Sequence, residues 1–272
     1  MNYLQFGFEI ENAGQMERLV ALLADQGFEG FEEDEDSLDA FIPEHNFREE
    51  EFARAMDLFL TISYTKTVLE NINWNKKWEA DFKPVLVEDF VAIRAGFHQP
   101  VTNVEYEIII TPKMSFGTGH HATTYLMIKQ MRQLDFSGAS VLDFGTGTGV
   151  LAILADKLGA EKVVAVDYDD WSIENANENI LQNHSSSIRV IKGDTVPITE
   201  KFNIILANIT LNVILSDLSS IVTCSLTGAT ILLSGFLKDD EPTLVENLEK
   251  VGLKYLSTMQ RGDWIAVMAK NP

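Results

Sequence analysis

The chain has 272 residues, 46% of them hydrophobic and 23% charged, with 41 acidic against 21 basic side chains and a net charge of −20. That length suits two domains with ordinary cores, and the single cysteine, Cys224, excludes a disulfide framework within the chain and any multi-cysteine metal site. The acidic balance argues against a general nucleic-acid binder, because phosphate contacts need a basic face; the start lacks a secretory pattern and no apolar run reaches membrane length, which predicts a soluble, cytoplasmic protein.

Residues 2–10 (NYLQFGFEI) read as a strand. Met16, Leu19, Val20, Leu22 and Leu23 recur at helical spacing over 12–25, and Gly27 follows as a stop. Phe28–Phe31 and Leu38–Ile42 read as short strands around the run Glu32-Glu33-Asp34-Glu35-Asp36, and 46–60 reads as a helix with Phe52, Ala55, Met56 and Phe59 on one face. The order strand, helix, strand, strand, helix predicts a small ferredoxin-like α+β sandwich. It contains no catalytic constellation. Residues 61–80 read as a partly helical connector whose Trp74 and Trp78 suit either a partner surface or a covered domain junction.

Charge is concentrated at this end: residues 1–70 hold 17 acidic and 4 basic side chains. Two readings stand: a solvated, solubilising surface, or a docking face that attracts a basic partner.

Residues 85–94 and 104–110 read as strands ahead of a second domain. Helix 122–134 then leads to strand 140–144, helix 149–158, strand 162–167, helix 170–182, and strands 188–192 and 202–208. Helix 212–224, strand 229–234, helix 240–251 and two strands at 253–260 and 263–269 complete the pattern. Alternating strands and helices predict a parallel, doubly wound α/β sheet. The tight turn at Arg261-Gly262 makes the last pair an antiparallel hairpin. Together they predict a seven-stranded Rossmann-like sheet.

The residues for chemistry cluster on that sheet. In Val141-Leu142-Asp143-Phe144-Gly145-Thr146-Gly147-Thr148-Gly149 a buried strand runs into a glycine turn and a helix. Glycines such as Gly145 and Gly147 let a ligand approach the backbone closely. Asp167 ends the next strand, where a carboxylate can accept both ribose hydroxyls of a nucleoside. The G-x-G-x-G spacing departs from the dinucleotide pattern, and Asp143 would repel a pyrophosphate. It suits a ligand with a cationic end, such as S-adenosylmethionine. Asn208 ends strand 202–208, where its amide can accept from an amine. Phe116-Gly-Thr-Gly-His120-His121-Ala-Thr123-Thr124 reads as a loop that covers the ligand, with Phe116 helping to close it and the threonines at a helix start. Adjacent histidines without a spaced third ligand do not make a metal site.

These segments, FGTGHHATT, VLDFGTGTGVLAILADKLGA, VVAVDYDDWSIENANEN, ILANIT and LLSGFLKDD, resemble the ribosomal protein methyltransferases of the PrmA family in order and spacing over about residues 114–240. The trailing Gly262-Asp263-Trp264 resembles the family's end. The resemblance implies a methyltransferase domain at 81–272, a linker at 66–80 and a substrate-recognition domain at 1–65. It implies S-adenosylmethionine-dependent methylation of amines on large-subunit ribosomal protein eleven, at lysines or the amino terminus; the net charge and the lack of a membrane-length apolar run add the expectation of a monomer that needs no nucleic acid or membrane. The resemblance carries the family's cofactor contacts onto Thr124, Gly145, Asp167 and Asn208. Asn208 would also serve the acceptor amine, making it the catalytic residue. His120, Ala122, Thr146 and Thr148 depart from the commoner residues, and Thr210 stands where leucine is usual, beside the acceptor pocket.

Overall fold

The computed structural model describes residues 2–10, 12–34, 36–59, 62–69, 82–112 and 119–272. The chain divides into two compact units, Met1–Phe82 and Lys83–Pro272. Among the described residues no helix is long and apolar enough to cross a membrane.

The first unit runs β1 (Tyr3–Glu9), α1 (Ala13–Asp25), β2 (Gly30–Glu33), β3 (Ser37–Pro43), α2 (Glu49–Met56) and β4 (Tyr64–Leu69). Its sheet has the order β2-β3-β1-β4, with every pair antiparallel. This is the ferredoxin-like arrangement. Period-two alternation puts Leu4, Phe6 and Phe8 opposite Ile42, Ala40 and Leu38 on the buried face. Leu19 and Leu23 of α1 and Phe52 of α2 close the core, with the Phe6 and Phe52 rings 4.5 Å apart. Asn12 caps α1 by accepting from the Gln15 N–H.

β4 corrects the expected connector. Residues 64–69 form a strand on β1, so the expected 66–80 linker begins inside the sheet. The β-branched Thr65, Thr67 and Val68 favour a strand. Its exposed, polar edge position hid the alternation that marks buried strands. Trp74 and Trp78 lie outside the described residues.

In the second unit, residues 85–94 form not one strand but a hairpin of β5 (Val85–Val87) and β6 (Val91–Ala95), turned at Glu88, whose φ is +54°. β7 (Tyr106–Ile110) pairs parallel to β6, giving a separate three-stranded sheet. Buried Arg94 anchors it through a two-pronged ion pair to Glu107, which holds that carboxyl below its usual range.

The main sheet follows. After α3 (Ala122–Met131) come β8 (Ser140–Phe144), α4 (Val150–Lys157), β9 (Lys162–Asp167), α5 (Asp170–Gln182), β10 (Ile188–Lys192), β11 (Phe202–Asn208) and α6 (Leu211–Cys224). β12 (Ser225–Leu237), α7 (Glu241–Lys250), β13 (Lys254–Arg261) and β14 (Trp264–Lys270) complete it. The order is β10-β9-β8-β11-β12-β14-β13, with β14 antiparallel to both of its neighbours. Central strands covered on both faces read as unbroken apolar runs, as in Val163–Val166 and Ile204–Ala207. Strand order reverses between β8 and β11, which opens a crevice at their carboxyl ends.

Candidate active site

That crevice is a cleft of about 700 Å³, sized for a nucleoside-bearing ligand. Its floor is the turn from β8 into α4. Gly145 has φ +77°, and a Cβ there would come within 2.1 Å of Ile209 Cγ2. The turn is sewn to the next strand by Gly145 and Thr146 N–H groups that both donate to the Val166 carbonyl, at 2.8 and 3.0 Å.

Asp167 lines the cleft and is held before any ligand arrives. Its Oδ2 accepts from the Gly147 N–H at 2.8 Å and its Oδ1 from the Asp169 N–H at 3.1 Å. Each carboxylate oxygen has a second lone pair, so two acceptors remain for a diol. Asp169 instead caps α5, accepting from the Ser172 N–H and hydroxyl.

Asp143 does not line the cleft, which corrects the expectation that it meets a ligand's cationic end. It is 1% exposed, and its Oδ2 accepts from the Thr146 hydroxyl at 2.6 Å. Burial pushes its carboxyl up to about 7. Its Oδ1 has no partner. Asp143 therefore braces the glycine turn from behind, because the last residues of a buried strand alternate between the two sheet faces.

Asn208 and Thr124 come together across the cleft from Asp167. The Asn208 amide Nδ2 donates to Thr124 Oγ at 3.4 Å, while Asn208 Oδ1 is buried without a partner. A second glycine fixes this corner. Gly235 has φ +103° and sits at an irregularity in the β12–β14 pairing; a Cβ there would lie 2.2 Å from the Ile209 carbonyl oxygen. Ile209 is thus wedged between Gly145 and Gly235, and its N–H donates to the Ser234 carbonyl. The wedge sets the backbone of Asn208-Ile209-Thr210. Thr210 starts α6 but its side chain makes no capping bond, and it lines the cleft.

Of the expected site residues, Thr124, Gly145, Gly147, Asp167 and Asn208 converge here. Phe116 lies outside the described residues. His121, in the loop expected to cover the ligand, lines the cleft as well, and Asp194, Gly235 and Trp264 are lining residues that the sequence reading did not single out. Gly193-Asp194, directly after strand 188–192, carried the same strand-end signal as Asp167. Gly235 and Trp264 lie in segments that resemble the family but carried no local signal of a site, because strand pairing brings them to the cleft. His121 caps α3, accepting from the Thr123 N–H, and its ring packs edge-on to Trp264 with centroids 4.5 Å apart. Cys224 is buried in the core, where desolvation pushes its thiol up to about 11, so it supplies no thiolate nucleophile.

The arrangement offers a diol acceptor at one end, an amine acceptor at the other, and a glycine floor between them. Comparison with known proteins agrees with that chemistry. Residues 6–272 match the family described as ribosomal protein L11 methyltransferase (PrmA). The chain is 39% identical to the ribosomal protein L11 methyltransferase of Porphyromonas gingivalis, over 98% of this chain and 97% of that one. It is 37% identical to the enzyme of that name from Bacteroides fragilis, over 98% and 99%. Among solved structures, the ribosomal protein L11 methylase of Lactobacillus delbrueckii subsp. bulgaricus superposes with a TM-score of 0.65 at 27% identity, covering 70% of this chain and 99% of that one. The chain belongs to the ribosomal protein L11 methyltransferase family.

Proposed function

We propose that the chain transfers methyl groups from S-adenosylmethionine to lysine ε-amines, or the terminal α-amine, of large-subunit ribosomal protein L11. The observation that carries this reading is the buried, unpartnered Asn208 Oδ1 beside Thr124, across the cleft from a pre-oriented Asp167. An acceptor buried without a donor costs free energy unless a ligand satisfies it.

The residues fit S-adenosylmethionine. Asp167 would hold the ribose hydroxyls, Gly145 and Gly147 would line the amino-acid portion, and Asp194 would border the base. Bound there, the cofactor supplies an electrophilic methyl group on a sulfonium. The chain's own groups then have three tasks. They hold the amine in line, keep water out and favour its neutral form. A free lysine, with a pKa of about 10.4, is neutral only to roughly 0.04% at pH 7. Among the described residues that line the end of the cleft near Asn208 and Trp264 there is no Asp or Glu to stabilise an ammonium, so desolvation there lowers the amine's pKa. Asn208 Oδ1 accepts one amine N–H and aims the lone pair. Such alignment can contribute on the order of 7–11 kcal/mol.

The acidic first unit would dock the substrate, because a protein that binds ribosomal RNA must itself present a basic face. The enzyme would act as a cytoplasmic monomer without nucleic acid. The test is the intact mass of L11 after incubation with this protein and S-adenosylmethionine. Steps of one methyl group, absent with Asp167→Ala, are expected. An unchanged mass with cofactor binding intact would overturn the substrate.

A further inference from the structure

The cleft carries its charge at one end only. Asp167, Asp169 and Asp194 gather on the β9–β10 side. The β11–β14 side is formed by Thr124, Asn208, Thr210, Gly235, His121 and Trp264, with no Asp, Glu, Lys or Arg among the described residues that line it.

The Trp264 ring is held firmly at that neutral end. Its backbone is paired on both sides, opposite Leu237 of β12 and Arg261 of β13. The His121 ring stands against it with an interplanar angle of 73°. His121 is itself fixed by its Nδ1 contact to Thr123 Oγ at 2.8 Å and by its place as the cap of α3. An indole so fixed offers a π surface to a cation.

Successive methylation changes what an acceptor nitrogen can bind. A primary amine donates N–H to Asn208 Oδ1. Each transfer replaces one hydrogen with a methyl group. The deprotonated tertiary amine, which is the acceptor of the third transfer, has no N–H, so the Asn208 amide oxygen cannot hold it. Among the described residues lining the neutral end of the cleft, none is a carboxylate that could pair with the charge that develops on the amine nitrogen. The interactions left are apolar contact and the attraction of a cation to an aromatic face.

We propose that Trp264, braced by His121, keeps an already methylated amine in place for further transfer and so sets how many methyl groups each amine receives. This rests on the reading of the chain as an amine methyltransferase. In each step the amine lone pair forms the new N–C bond. The C–S bond breaks with its electron pair left on sulfur, releasing S-adenosylhomocysteine. The product ammonium returns a proton to water before the next attack, and the third transfer, to a tertiary amine, ends with no proton to lose.

The test compares wild type with Trp264→Leu and Trp264→Phe by intact mass of L11, at equal total methyl groups transferred. Trp264→Leu should slow the third transfer at least about fivefold more than the first and lower the fully methylated fraction accordingly, and Trp264→Phe should restore part of the loss. Without cofactor, a peptide bearing trimethyllysine should bind Trp264→Leu about three- to tenfold more weakly, with the unmethylated peptide unaffected. Identical ladders, or a first methylation lost as severely as the last, would overturn the proposal. If Trp264→Leu does not fold, His121→Ala leaves β14 intact and should shift the ladder the same way to a smaller degree; no shift overturns the proposal. If wild type leaves L11 unmodified, the substrate reading fails, and the peptide comparison still decides the role of Trp264.

Discussion

The two units solve opposite problems with their polar groups. In Met1–Phe82 the core is an aromatic and aliphatic cluster around Phe6 and Phe52, and the charge stays on the surface. In Lys83–Pro272 polar groups go inside: every buried polar or charged side chain among the described residues belongs to this unit, from Arg94 to Ser234. Burying such groups is costly unless they are paired. Most are paired, as Asn179 is with the carbonyl of Thr148 and the N–H of Thr111. Of the side-chain atoms left without a partner, on Gln130, Asp143, Ser185 and Asn208, the one on a residue that lines the cleft is Asn208 Oδ1. The contrast teaches that the second unit keeps unspent hydrogen-bonding capacity for a ligand, while the first offers only a surface and its field.

The largest effect should come from removing the most fully committed of these groups. Asp167→Ala deletes the acceptor for a diol and strands the Gly147 and Asp169 N–H groups. Calorimetry should show about a thousandfold loss of S-adenosylmethionine affinity, on the order of 4 kcal/mol. A loss below tenfold would mean that Asp167 only supports the turn.

Gly235→Ala separates shape from charge. A Cβ at that φ, 2.2 Å from a backbone oxygen that cannot swing away, must displace the Asn208-Ile209-Thr210 corner. Cofactor affinity should fall no more than about tenfold, because the displaced Ile209 also packs on Gly145 while the Asp167 acceptors are untouched. The kcat should fall about a hundredfold, the usual result of misplacing a reacting group by about 1 Å. Equal losses in both would indicate that the whole cleft had collapsed.

These two positions also mark what the sequence discloses. Asp167 was legible because it follows a local rule: a carboxylate at the end of the strand after a glycine turn. The strand-end position likewise pointed to Gly145 and Asn208, Thr124 came from its place at a helix start and from the family resemblance, and strand–helix alternation pointed to the seven-stranded sheet. Gly235 and Trp264 were not legible, because β14 reaches the cleft only by inserting between β12 and β13. Asp143 misled for a related reason. It stands next to the turn in sequence, but strand alternation carries its side chain behind it. In the first unit β4 was missed because an exposed edge strand lacks the apolar alternation that marks β1 and β3.

A smaller effect tests the buried charge directly. Burial raises the Asp143 carboxyl from its ordinary value to about 7 in the folded chain. Between about pH 4 and 7 the folded state therefore holds a proton that the unfolded state has released. The stability this contributes is complete below pH 4 and is lost as pH rises through 7. Asp143→Asn removes that dependence. The variant's Tm relative to wild type should therefore improve between pH 5 and pH 8, on the order of 5 °C. A constant difference would place the ionised carboxylate in the native state throughout.

The smallest effect belongs to the first unit, and its form matters more than its size. Glu32 and Glu33 are exposed on β2, in the densest part of the acidic run. If that face steers a basic substrate, Glu32→Lys with Glu33→Lys should raise the KM for L11 about threefold at low salt and leave kcat unchanged, because charges at a rim act on encounter. Cofactor affinity should not move. The difference should fade towards 1 M salt, where the screening length shrinks to about 3 Å. A free lysine derivative, which carries none of the substrate protein's basic surface, should be methylated equally by both proteins. An equal rise in KM for that small amine would trace the effect to the cleft and leave the acidic surface a solubilising one.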